Sequence, residues 1–322
     1  MMNERHAGRL LASLLLVAAC GTAVSPAAPP RQEAGEVRLS VAVTGKDGAP
    51  IAGLPLESFA LTAGKEAHAI TVFDGGGGPA SVAALFDLSY SMAGLAESRI
   101  GPAAEAVWRL ASAGHEANEY RIVAFADEVQ TVLAGSRDRQ AVRGALAKVH
   151  GARFGRQSSL FDACWETLDA LSSSPHAKRA LILVSDGEDT YSRAQKEDIL
   201  ALLSEGGVVF YGVYLARPRP DPAPGATQVR PHGQQLLDKL AEVSGGLSCS
   251  PRNAKELDAC FARIGEDLRA RYVIGFAPKP VLGPGACRPL RLRVTPPDGS
   301  ADKSLKVRAR EEFCAPRPAK KK

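Results

Sequence analysis

The sequence predicts an α/β fold: a doubly wound, mostly parallel sheet with helices on both faces, beside a small accessory β module. Three observations carry that expectation. From Ala80 onward, short apolar runs alternate with helical patterns. Those runs are continuously apolar, as strands buried on both faces of a parallel sheet require. On either side of this region the apolar spacing changes to two, the period of half-exposed strands.

The chain opens on a targeting pattern. Arg5 and Arg9 precede Leu10 to Ala19, an uncharged and mostly apolar run that is too short to span a bilayer. Its length and flanks are those of a signal-peptide core, so residues 1–19 read as a signal peptide. The run ends in Val17-Ala18-Ala19-Cys20-Gly21, and small residues before a cysteine resemble the lipobox of bacterial lipoproteins. The resemblance implies cleavage before Cys20 and lipidation of its thiol and new amine. Several acyl chains on one residue anchor firmly where one is marginal. Gly21, in place of Asp, implies by the same resemblance the outer membrane. An ordinary secretory signal cleaved nearby is the alternative. Residues 20–35, with Pro26, Pro29 and Pro30, read as a semi-rigid tether.

In residues 36–74, Val37, Leu39, Val41 and Val43 are spaced by two, Lys46-Asp47-Gly48 marks a turn, and Ile70, Val72 and Phe73 begin another β run. This segment has too few apolar residues to fold alone. Gly75 to Pro79 then breaks the chain. Residues 80–271 are the α/β region. Its strands are expected at Val82–Phe86, Arg121–Phe125, Ala180–Val184 and Val208–Leu215. Helical patterns lie near Ile100–Ala113, Asp138–Val149, Ser159–Leu171, Ala194–Leu203, Gln234–Val243 and Ala254–Arg269. In the last, Leu257, Cys260, Phe261, Ile264 and Leu268 form one helical stripe.

Residues 272–315 return to β. Leu290, Leu292 and Val294 alternate with basic residues, Pro296-Pro297-Asp298-Gly299 is a turn, and Leu305, Val307 and Ala309 alternate again. This pattern predicts a hairpin, and the two β-like ends are expected to pair into one accessory sheet. The hairpin would set Cys287 opposite Cys314, which favours a disulfide between them. Besides Cys20 there are five cysteines, so one at least stays unpaired, and the rest of the connectivity is open. Cys164 lies on an apolar helix stripe and reads as a small core residue. Residues 316–322 are a basic tail.

Composition narrows the function. Charged residues are 23%, the hydrophobic class is 45%, and the net charge is only +5, with basic groups gathered in the tail. Aromatics at 6% are too few for a base-stacking platform, and no nucleic-acid partner is expected. There is no G-x-S-x-G elbow, H-E-x-x-H or phosphate-binding P-loop, and no histidine falls within the candidate site.

Ligands of doubly wound sheets bind at the carboxyl ends of the strands. Asp87 and Asp186 stand at such ends, within Asp87-Leu88-Ser89-Tyr90-Ser91 and Ser185-Asp186-Gly187. A third polar loop, Gly155-Arg156-Gln157-Ser158-Ser159 before Leu160-Phe161-Asp162-Ala163, lies between them in sequence. Together the three segments resemble the von Willebrand factor type A domain and its metal-ion-dependent adhesion site. On that resemblance Asp87, Ser89, Ser91, Ser158 and Asp186 are the metal-holding residues, with Ser158 where the family usually has threonine. Serine keeps the oxygen but loses the methyl that restricts its rotamer, so weaker metal binding is expected. The N-terminal stretch Val41 to Phe59 with Ile70-Thr71-Val72-Phe73, and the tail Tyr272 to Phe276 with Leu305 to Arg310, are similar to flanking β segments of a bacterial lipoprotein subfamily. The resemblance thus covers nearly all of Glu36 to Ala315.

Hydroxyls and carboxylates suit a hard dication, Mg2+ first, with Mn2+ or Ca2+ as alternatives. In the family a partner's Asp or Glu completes the coordination. Arg153 and Arg156, in the loop before Ser158, are candidates for attracting that acidic partner. The expected function is therefore a lipid-anchored, metal-dependent protein-binding module of the cell envelope, without catalysis. Two alternatives are a structural envelope protein with a vestigial site and a metal-dependent hydrolase using Glu188 or Asp189 as base.

Overall fold

The computed structural model describes residues 36–95, 99–153, 155–215, 230–297 and 305–315. The expected signal peptide, Cys20, the tether and the basic tail lie outside the described residues. In chain order the strands and helices begin with β1 (Val37–Thr44), β2 (Phe59–Ala63), β3 (Glu66–His68), β4 (Val72–Asp74) and β5 (Ala80–Asp87). Then come α1 (Tyr90–Ala93), α2 (Gly101–Ser112), β6 (Glu119–Phe125), β7 (Val129–Ser136), α3 (Arg139–His150) and α4 (Leu160–Ser172). They continue through β8 (Lys178–Ser185), α5 (Lys196–Gly206), β9 (Val208–Tyr214), α6 (His232–Ser244), β10 (Leu247–Cys249) and α7 (Ala254–Ala270). The last are β11 (Tyr272–Phe276), β12 (Cys287–Val294), β13 (Lys306–Arg308) and β14 (Glu312–Cys314).

Six strands form the central sheet in the order β10-β9-β8-β5-β6-β7. All neighbours are parallel except β7, which folds back antiparallel on β6. Alternate residues of each central strand feed opposite cores, so both sets must be apolar. Val82, Ala84 and Phe86 of β5 pack with α2, α3 and α7, whereas Ala83 and Leu85 pack with α4, α5 and α6. This is the doubly wound arrangement that the continuous apolar runs predict. β7 carried no such signal, because as an edge strand it is only partly buried along its length.

The two ends of the chain do pair, but into two four-stranded sheets rather than the one expected: β13-β1-β11-β4 and β14-β12-β2-β3. The reason is burial. A single sheet would leave its apolar face open, whereas two stacked sheets cover each other. Leu39, Val41, Tyr272 and Ile274 from one sheet close a core with Phe59, Leu61, Leu290 and Phe313 from the other. Ring contacts cross it, Phe59 with Tyr272 at 4.9 Å and Phe276 with Phe313 at 5.5 Å. The expected hairpin does not form either. β13 pairs with β1, and β12 pairs with β2 and β14. It is β14 that sets Cys314 directly opposite Cys287, and a disulfide joins them. A second disulfide, Cys249–Cys260, ties β10 to α7. Cys164 is free and fully buried, and burial pushes its thiol up to about 12, leaving it protonated and inert.

Three arginines lock the stacked sheets to the α/β layer. Arg271, wholly buried between α7 and β11, donates from Nε to Asp267 at 2.8 Å and to the Tyr211 hydroxyl at 3.1 Å. Its other nitrogens reach Ser40 and the Gly245 carbonyl that ends α6. Arg308 of β13 pairs with the second oxygen of Asp267 and donates to the Gly246 carbonyl at 2.8 Å. Burial opposes charge on Asp267, but the two guanidiniums outweigh it and hold the carboxyl below its ordinary range. The carbonyls at the carboxyl end of α6 add favourable negative potential for the arginines. Arg310 bonds the carbonyls of Ser204 and Arg38, one from each part. Gly245 has a φ of 71°, and a Cβ there would lie 2.6 Å from the Cα of Ala309, so only glycine lets the chain leaving β13 approach.

Candidate functional site

β5 and β8 are parallel neighbours whose ends lie side by side. After β5 the chain crosses to α2 on one face of the sheet; after β8 it crosses to α5 on the other. The diverging connections open a crevice at the carboxyl ends, the switch point where doubly wound sheets take ligands.

Asp87 closes β5 and is fully buried. One oxygen accepts the Ser89 N–H at 2.9 Å and the other accepts the Ser185 hydroxyl at 2.6 Å. Burial pushes its carboxyl up to about 6, although the Ser185 and Ser89 hydrogen bonds pull the other way. The nearby negative charge of Asp186 adds to the rise, and among the described residues Asp87 forms no ion pair. Ser89 is buried, and its hydroxyl lies 3.1 Å from that of the more exposed Ser91.

The Ser158 loop is held from two sides. Its N–H donates to the Thr190 hydroxyl at 2.9 Å, and its carbonyl accepts the N–H groups of Thr190 and Tyr191. Asp127, just past β6, accepts the N–H groups of Arg156 at 2.8 Å and Gln157 at 3.1 Å. With its backbone fully engaged, Ser158 is 3% exposed, and its hydroxyl is buried without a hydrogen-bond partner.

Asp186 is half-buried and accepts the N–H of Glu188 at 3.1 Å. The next residue, Gly187, has a φ of 75°, a conformation that glycine alone adopts at no cost. It packs on Gly233 in the first turn of α6, where an added Cβ would fall 1.9 Å from the Asp186 carbonyl. Gly233→Ala is therefore expected to destabilise the protein by about 1–3 kcal/mol, read by urea unfolding, because the Asp186 backbone must move.

All five residues singled out from the sequence thus lie on the three loops of this crevice. Arg153 and Arg156 are exposed on the approach to Ser158. Four positioning groups carried weaker signals. Ser185 bridges Asp87 and the Gly187 N–H, and Thr190 holds Ser158. Asp127 is an acid at a strand end, the same signal that marked Asp87. Asp162 of α4 accepts the N–H groups of Arg193 and Ala194 and so fixes the loop after β8. Asp189, considered above as a base, is engaged by the Phe161 N–H and the Ser192 hydroxyl. Those contacts give it a structural role.

The domain is thus a doubly wound α/β sheet with polar loops at its switch point. Residues 82–188 match the family model described as von Willebrand factor type A domain. The match falls within the α/β part and contains all five crevice residues. Such domains generally mediate protein interactions rather than catalysis, and the match indicates no enzyme family. Among solved structures, the chain is similar to the conserved hypothetical protein BatB from Bacteroides thetaiotaomicron. That likeness has 18% identity, covers 59% of this chain and 100% of that one, and has a TM-score of 0.45. An aerotolerance-related membrane protein from Bacteroides fragilis gives 17% identity over 59% of this chain and 98% of its own, at a TM-score of 0.47. A von Willebrand factor type A protein from Catenulispora acidiphila gives 13% identity over 89% of this chain and 76% of its own, also at 0.47. No curated protein matches.

Proposed function

We propose that this is a cell-envelope protein, lipid-anchored through Cys20 at the outer membrane, whose α/β domain binds a partner protein through a divalent metal. Asp87, Ser89, Ser91, Ser158 and Asp186 would hold the ion, Mg2+ by preference and Mn2+ or Ca2+ as alternatives. Bound there, the dication supplies a coordination position that an Asp or Glu of the partner completes. Arg153 and Arg156 draw that acidic partner in. The anchoring part of this reading rests on the first twenty residues; among the described residues no helix is long and apolar enough to cross a membrane.

The observation that carries the metal reading is the Ser158 hydroxyl. A buried polar group without a partner costs about 1–3 kcal/mol. Here it faces no fold-stabilising partner and lies in the same crevice as a buried carboxylate that forms no ion pair among the described residues. A cation among them would relieve both penalties. The donors are all oxygens, as a hard dication requires. Hydroxyl ligands leave the ion under-neutralised, which favours an anionic partner.

Ser158→Ala separates this from a purely structural role. The variant should unfold at the same temperature as the wild type without metal, or slightly higher, because it loses an unpaired buried hydroxyl. Its stabilisation by magnesium should fall sharply. A variant that loses stability without metal, yet responds to magnesium as the wild type does, would contradict the reading.

A further inference from the structure

Five large hydrophobic side chains are exposed among the described residues: Leu56, Tyr90, Trp165, Tyr191 and Val281. Isolated exposed apolar residues are ordinary. Two of these, however, lie inside the loops of the crevice. Tyr90, 70% exposed, stands between Ser89 and Ser91, and Tyr191, 59% exposed, donates its N–H to the Ser158 carbonyl at 3.0 Å. Their neighbours Leu88 and Met92 supply the core contacts of the first loop. Among the described residues neither phenol hydroxyl makes a hydrogen bond and neither ring stacks on another. Both rings are therefore held out from the fold, on the loops that carry the crevice hydroxyls. The same loops carry exposed Arg153, Arg156 and Arg193.

From this placement we infer that Tyr90 and Tyr191 are specificity-determining contacts. They select a partner protein segment in which the coordinating carboxylate is flanked on both sides by apolar side chains. This rests on the metal-dependent reading above. Tyrosine and arginine are the residue types that dominate interface energetics. A tyrosine ring offers a large contact at little cost in side-chain entropy. The exposed arginines offer cations to an acidic group, so the fitting segment is acidic at its centre, while the two rings demand apolar flanks. A bare carboxylate, or an acidic run without apolar neighbours, would leave both rings uncovered.

The test uses the full chain and two capped peptides, one with a central Val-Asp-Phe and one with Gly-Asp-Gly, titrated in millimolar magnesium. A parallel titration with magnesium alone follows the metal. The wild type should prefer the apolar-flanked peptide by about tenfold, or about 1.4 kcal/mol. A Tyr90→Ser, Tyr191→Ser variant should bind magnesium as the wild type does and lose the preference. Equal binding of the two peptides by the wild type would overturn the inference, as would an unchanged preference in the variant. Binding of magnesium but of neither peptide would overturn it as well, leaving the metal reading intact. Absence of magnesium binding by the wild type would remove the metal reading and this inference with it.

Discussion

Asp267→Ala is expected to be the most destabilising change away from the crevice, at about 3–5 kcal/mol, the range for breaking a buried ion pair from one side. The cost arises from what is left behind. Arg271 is wholly buried and would keep hydrogen bonds only to Ser40, Tyr211 and the Gly245 carbonyl, with no countercharge. Arg308 would also lose its anion, although its partial exposure lets water compensate. A comparison makes the prediction sharp. Asp258 pairs with Arg109 at the surface, both more than half exposed, and Asp258→Ala should cost less than about 1 kcal/mol. Urea denaturation of the two variants beside the wild type reads the difference. Similar losses for both would show that the buried network is not what joins the stacked sheets to the α/β layer.

The second large effect concerns Asp87. Asp87→Asn keeps an acceptor for the Ser89 N–H, so the loop should persist while the charge is lost. Magnesium affinity should fall by more than about a hundredfold, since losing even an outer-sphere partner of a metal ligand typically costs about 10–100-fold. Stability without metal should hold or rise. The wild-type carboxylate is buried and forms no ion pair among the described residues, and burial, with a smaller contribution from Asp186, raises its pKa to about 6. Divergence of the two readouts, metal affinity down and apo stability kept, is the mark of a residue placed for a ligand. A parallel loss of both would mark a residue placed for the fold.

The placement of the candidate residues was legible because they sit at predictable positions in the fold. Asp87 and Asp186 follow continuously apolar runs, so the strand ends, and with them the crevice, could be located from pattern alone. Ser158 was found through the same three-segment resemblance. What escaped were groups that position these residues. Ser185 is one position from Asp186, yet nothing in a linear sequence tells that its hydroxyl turns toward Asp87 across the sheet. Gly233 lay just outside the helical pattern expected at Gln234–Val243 and carried no signal, although the turn at Gly187 needs it. The stacked sheets were misjudged for a related reason. Periodicity shows that a strand has one apolar face but not which strand covers it. β12 and β13, close in sequence and both alternating, therefore looked like one hairpin when each belongs to a different sheet.

The central claim is that the crevice between β5 and β8 holds a divalent cation. Calorimetric titration of magnesium into the chain from Gly21 onward, with Asp87→Asn beside it, tests this most directly. The account predicts saturable binding at one site in the wild type and none in the variant over the same range. Equal heats from both proteins, or no saturable binding by the wild type, would contradict it.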